Sequence, residues 1–155
     1  YAELANPRLF GLMWGGEDLA ADIGAIANRD ASGRYSAPFE LARALCLLGA
    51  AAAAVLPIDA VYTDFRNSEG LKAESLQGLR DGFGAKAAIH PAQAEVINEA
   101  FTPTAVDIEW AQRVVETFEA AGGGVAAIDG KMLDRPHLRG AQRVLERARV
   151  AGVLR

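Results

Sequence analysis

Four short apolar runs punctuate the chain, at residues 9–14, 58–62, 86–89 and 125–128, and stretches with helical spacing separate them. The first, Leu-Phe-Gly-Leu-Met-Trp, is continuously apolar, the pattern of a strand buried on both faces. Residues 17–23 are long enough for one or two helical turns. Residues 28–35 are polar and turn-rich, hence a loop. Ser36 is placed to cap a helix with Pro38 in its first turn, running to about Val55, where Pro57 ends it. After the second strand, residues 64–70 form a polar loop. Residues 71–83 then read as a helix with Leu71, Leu76, Leu79 and Phe83 near one face, stopped by Gly82 and Gly84.

Beyond the third strand, His90-Pro91 turns the chain into a short helix over residues 92–100. Thr102 is the expected cap of the next helix, with Pro103 at its first position. Asp107 and Glu109 lie in its first turns, where the helix dipole favours them. Ile108, Ala111, Val115 and Phe118 mark its apolar face. Gly122, Gly123 and Gly124 stop it before the fourth strand. An Arg-rich helix over about residues 138–150 closes the chain. The alternation β-α-β-α-β-α-β-α argues for a parallel sheet. A complete (β/α)8 barrel takes roughly 250 residues, so four units in 155 residues correspond to about half of one. A small doubly wound domain is the rival, but no Gly-rich phosphate loop follows any strand.

Composition narrows the function classes. The chain is 51% hydrophobic with net charge −4 and mean hydropathy +0.08, values that suit a globular protein with a sizeable core. Lys and Arg are dispersed and no basic stripe is interleaved with aromatics, so nucleic acid is not an expected partner. The longest apolar stretch, about residues 42–58, carries Arg43 and Pro57 and falls short of a membrane span. Cys46 is the lone cysteine. It sits in an apolar run and reads as a buried structural thiol in a reduced, cytoplasmic compartment. The chain opens without an initiator methionine and runs quickly into a strand, as if entering the middle of a domain.

Chemistry concentrates after the strands. Gly15-Gly16-Glu17-Asp18 follows the first, and Asp129-Gly130-Lys131-Met132-Leu133-Asp134-Arg135-Pro136 follows the fourth. In α/β proteins, loops leaving strand ends build active sites. Asp18 beside two glycines suits a hard cation such as Mg²⁺; equally, Glu17 or Asp18 could cap the next helical turn. Asp134 before a Pro-led helix is a typical N-cap, and a carboxyl there can also act as an acid. His90 ends the third strand and reads as a hydrogen-bonded structural residue or a ligand. His137 is too distant in sequence to complete a zinc site. Asp59, Asp64 and Arg66 form either a charged exposed loop or part of a site.

Taken together, these residues resemble the citrate lyase β-subunit-like proteins of the HpcH/HpaI aldolase superfamily. The resemblance is carried by Leu12-Met13-Trp14-Gly15-Gly16-Glu17-Asp18-Leu19, by residues 57–65, and by Gly82-Phe83-Gly84-Ala85-Lys86-Ala87-Ala88-Ile89-His90-Pro91-Ala92-Gln93. Phe101-Thr102-Pro103 and residues 130–136 complete it, all in order along the chain. It implies a (β/α)8 TIM barrel of which this chain covers about the last four units, residues 129–155 being the C-terminal loop and helix. It implies a Mg²⁺-dependent carbon–carbon lyase or condensing enzyme acting on 3-hydroxyacyl-CoA thioesters such as citramalyl-, malyl- or citryl-CoA. A thioesterase or a malate-synthase-like enzyme on the same scaffold is the alternative, and a non-catalytic CoA-binding half-barrel is another.

By that resemblance Asp18 is a metal ligand, and Gly15, Gly16 and Glu17 lie beside the substrate carboxylate. Ala87, Ala88, Ile89 and His90 contact the CoA arm. Asp134 is the catalytic acid, reaching across an interface of a homo-oligomer, a trimer or hexamer. The family's second metal-binding glutamate and its substrate-binding arginine have no counterpart here, since Glu3 lies too close to the first strand. The chain thus reads as the C-terminal half of such a barrel.

Overall fold

The computed structural model describes residues 6–122 and 126–155. They divide into two compact units, one ending at Phe101 and the other spanning Thr102–Arg155.

The first unit is built on a three-stranded parallel sheet in the order β1-β2-β3. Strand β1 (Gly11–Met13) leads into helix α1 (Gly16–Ile23), and α2 (Ala37–Ala52) follows the loop. Strand β2 (Leu56–Asp59), α3 (Ser68–Asp81), β3 (Ala85–Lys86) and α4 (Ala92–Phe101) complete the unit. Met13 pairs with Ile58, and Ile58 with Ala85. Pro57 falls inside β2 rather than before it. No ladder bond is lost, because β3 starts pairing only at Ile58 and the Pro57 carbonyl still accepts from Gly84 N at 2.9 Å. Trp14, Phe39, Ala60 and Phe83 form the core, with Leu47 and the half-buried Cys46 packed against it.

Several expected boundaries are corrected. The first strand is not buried on both faces: Phe10, just before it, and Met13 are 75% and 58% exposed, and the strand is an edge of the sheet. Helix α2 stops before Pro57. Ala54 takes φ 54°, and the bonds Ala54 N to Ala51 O and Val55 N to Ala50 O close a Schellman turn. Helix α3 starts earlier than expected because the Asn67 side chain accepts from Gly70 N at 2.9 Å. The third strand is shorter: after Lys86 the Ile89 N–H turns to Gln93 Oε1 instead of to a neighbouring strand.

The second unit holds α5 (Ala105–Ala120), strands β4 (Ala126–Ile128) and β5 (Lys131–Leu133), and α6 (Arg135–Val150). The expected fourth parallel strand is corrected here. Its residues 126–128 pair antiparallel with 131–133 across a two-residue turn at Asp129-Gly130. Both turn residues have positive φ, 51° and 75°, the type I′ geometry for which Asp-Gly is suited. Val125 lies outside the described residues. Helix α5 begins after Thr104, not Thr102, because Thr104 and Asp107 bond reciprocally: Asp107 Oδ2 accepts from Thr104 N at 3.0 Å and Thr104 Oγ1 accepts from Asp107 N at 3.2 Å. Ala111, Val114 and Phe118 of α5 pack on Ile128, Leu133, Ala141 and Leu145, with Ile108 and Val115 at the margin. Helix α6 starts three residues before the expected position, directly after Asp134.

Candidate functional site

Three segments singled out by sequence leave the same edge of one sheet. Gly15–Asp18 follows β1, residues 60–64 follow β2, and residues 87–90 follow β3. The strands are parallel and adjacent, so these loops emerge from the carboxyl ends, with β1 and β3 about 10 Å apart. That edge is where open α/β sheets and barrels bind ligands.

Gly15 is the N-cap of α1, which places Glu17 and Asp18 in its first turn rather than at the cap. The Asp18 carboxylate folds back over the turn. A Cβ added to Gly15 would stand 2.7 Å from Asp18 Oδ2, so glycine leaves that space to the carboxylate. Gly16 is buried against Trp14, Tyr35 and Asn28. Glu17 Oε1 accepts from Asn28 Nδ2 at 2.7 Å, which fixes it beside the exposed Asp18. Mg²⁺ takes one or two carboxylates plus waters and substrate oxygens. Asp18 fits one position of such a shell. Among the described residues no group of three His, Cys, Asp or Glu side chains gathers into a metal-holding cluster.

The loop after β3 is tied to the loop after β2 by one buried side chain. Gln93 Nε2 donates to the Tyr62 carbonyl at 2.8 Å, and its Oε1 accepts from Ile89 N at 2.9 Å. Gln93 is the last residue of the motif that begins at Gly82, and these two bonds give it a function in that motif. Ala88 and Ile89 are exposed on this loop. The His90 ring stacks on Phe65 at 4.7 Å, and its Nδ1 accepts from Ala92 N at 3.2 Å, capping α4. This favours the structural reading of His90. Asp64 and Arg66 stay exposed in the loop after β2.

Asp59 is the clearest departure from an exposed loop. It is 2% exposed. Arg43 grips it through Nε at 3.0 Å and Nη2 at 2.8 Å, while Trp14 Nε1 donates to it at 2.8 Å. Burial opposes its charge, but the Arg43 hydrogen bonds, the Lys86 charge and the Trp14 N–H together hold its carboxyl below the usual carboxylate range. Arg43 also reaches Asp81 at 2.6 Å. Lys86, with its side chain fully buried, donates to the Ala60 carbonyl at 2.7 Å and pairs with Glu74 at 2.9 Å. Arg29 pairs with the other Glu74 oxygen at 2.8 Å and stacks on Tyr35. Burial and the Glu74 charge push the Tyr35 hydroxyl up to about 12. This network borders a cleft of about 1000 Å³ lined by Arg29, Tyr35, Tyr62, Asp64 and Glu74. It is not legible in the sequence because its members lie on α2, β2, α3, β3 and the segments after β1 and α1.

In the second unit Asp134 is the N-cap of α6. Its Oδ1 lies 2.5 Å from His137 Nδ1, and the side chains are 52% and 54% exposed. Asp129 sits in the hairpin turn and pairs with Arg113 at 3.1 Å. It ends no parallel strand.

The family description that matches residues 41–153 is C–C bond lyase of the TIM-barrel fold. The chain belongs to this C–C bond lyase family. It is also, as the motifs implied, citrate lyase β-like. A (3S)-malyl-CoA thioesterase of Cereibacter sphaeroides is 39% identical over 97% of the chain and 52% of its own length. A mitochondrial citramalyl-CoA lyase of Rattus norvegicus is 36% identical over 86% of the chain and 39% of its own length. Among solved structures, protein CitE from Mycobacterium tuberculosis, in complex with magnesium, acetoacetate and coenzyme A, superposes with a TM-score of 0.79. It is 37% identical, and the match covers 95% of this chain and 55% of that one. The chain spans about half the length of the curated relatives it matches. The relatives it resembles thus include both a thioesterase and a lyase named for CoA esters. No helix among the described residues is long and apolar enough to cross a membrane.

Proposed function

We propose that the chain is the C-terminal part of a single HpcH/HpaI-type barrel domain that cleaves or forms a carbon–carbon bond in a 3-hydroxyacyl-CoA thioester. The reading rests on one observation above the rest: likeness over 95% of the chain to a solved protein holding magnesium, acetoacetate and coenzyme A. The shared sheet edge of Asp18, Tyr62 and Ala87 adds to it.

Asp18 would supply one carboxylate oxygen to Mg²⁺, with Gly15, Gly16 and Glu17 beside the substrate carboxylate. When bound, the cation would stabilise negative charge on the substrate's 2-hydroxy or 2-oxo acid oxygens. The backbone over Ala87, Ala88 and Ile89, with His90 at its end, would take the CoA arm, held at the right height by Gln93. Breaking the bond next to the α-carbon of the acyl-CoA leaves a carbanion equivalent. Asp134 would protonate it, or remove the proton in the condensing direction, working across the interface of a trimer or hexamer. A cytoplasmic setting suits the unpaired thiol of Cys46.

Thioester hydrolysis is the second reading, favoured by the thioesterase relatives at 38–39% identity. Incubation with citramalyl-CoA and malyl-CoA, following free thiol and keto acid separately, distinguishes the two. Keto acid release is the expected result. Thiol release without keto acid rejects the lyase. Asp134→Asn is expected to lower turnover about 100-fold or more with the melting temperature nearly unchanged, since the side chain is half exposed. Wild-type rates in that variant remove Asp134 from the mechanism.

A further inference from the structure

A half-exposed carboxyl at a helix N-terminus has rotamer freedom that an acid delivering a proton to carbon cannot use well. His137, at the third position of α6, removes it. Its Nδ1 lies 2.5 Å from Asp134 Oδ1 and 3.2 Å from the Asp134 backbone N. Helix capping accounts for the second contact, because the N-cap N–H finds a side-chain acceptor. Capping does not account for the first. Two atoms that close must share a proton. One ring nitrogen cannot serve both contacts at once: carrying a proton, Nδ1 donates to Oδ1 and gives up the backbone N–H; without one, it accepts from that N–H or from a protonated Oδ1. The half-exposed ring lines an apolar groove with Trp110, Leu133, Pro136 and Val144.

We propose that His137 is a positioning residue for Asp134. It grips Oδ1 and leaves Oδ2 to carry the proton that moves. This rests on the reading of Asp134 as the acid.

The test is steady-state kinetics with malyl-CoA and citramalyl-CoA on the full polypeptide that carries these residues, with thermal melts alongside. His137→Met removes the ring nitrogen at similar bulk. It is expected to lower kcat about 10- to 100-fold with KM within about twofold. His137→Asn places an amide N–H where Nδ1 stands, one bond beyond Cγ, and is expected to recover most of kcat. Should the Met variant not fold, His137→Leu, which has no side-chain donor, takes its place. A lowered melting temperature with unchanged kcat overturns the proposal and leaves His137 as a cap. So does equal loss in the Met and Asn variants. If Asp134→Asn is inactive while His137→Met keeps wild-type kcat, positioning fails but the acid stands. If Asp134→Asn is fully active, both fall.

Discussion

Asp59 keeps its charge inside the first unit because Arg43, Trp14 and the Ala60 N–H all donate to it and the buried Lys86 cation lies nearby. A carboxyl whose folded pKa is depressed adds stability that is fully present above its unfolded value, near about 3.9. That stability is lost as pH falls through the folded value. Denaturant midpoints of the first unit are therefore expected to drop as pH falls below about 5. Asp59→Asn breaks the buried pair by removing one partner and is expected to cost about 3 kcal/mol at neutral pH, with a flatter acid limb. A wild-type midpoint that is level over that interval, or a variant with the same acid limb, would remove Asp59 from this role. None of this was legible beforehand, since Asp59 at a strand end looks the same in sequence whether it faces solvent or Arg43. Gly15, Gly16, Glu17 and Asp18 were easier to place, because the apolar run before them fixed the strand end they follow.

Elements were legible where local rules act alone and slipped where two rules compete. Thr102-Pro103 and Thr104-x-x-Asp107 both signal a helix start. The reciprocal bonds won because they satisfy two backbone or hydroxyl donors at once, whereas Pro103 is buried ahead of the helix. Those same bonds, with the Thr104 hydroxyl and backbone N–H, hold the Asp107 carboxyl below its ordinary range. Thr104→Ala is expected to destabilise the second unit by about 1 kcal/mol, read as a lower denaturant midpoint and faster amide exchange in the first turn of α5. A shift no larger than that of Thr102→Ala would return the cap to the earlier position. The hairpin was legible too, as Asp129-Gly130 between short apolar runs is a direct type I′ signal. It was overlooked because four strands in alternation with helices suggested a single parallel sheet. Strand pairing is a long-range choice, and the local pattern of residues 126–128 is compatible with either partner.

At the scale of the molecule, the three-stranded sheet is open at β1, and the open side is apolar. Phe10 and Met13 are exposed there. Helix α2 presents Leu41, Leu45 and Leu48, at helical spacing, with exposures of 60%, 54% and 64%. Isolated exposed leucines are ordinary; a helical stripe of them, in a unit whose sheet also has an unpaired edge at β1, is not. The relatives are about twice as long; sequence alone pointed to part of a barrel, but counted four parallel strands where the sheet has three. A polypeptide limited to residues 1–155 is therefore expected to self-associate through this face. Sedimentation velocity over a range of concentrations would record species well above 16.4 kDa. Leu41→Glu with Leu48→Glu, at exposed positions that are not part of the core, is expected to return it towards the monomer. A monodisperse monomer for the unsubstituted chain at every concentration would mean that the face needs no cover.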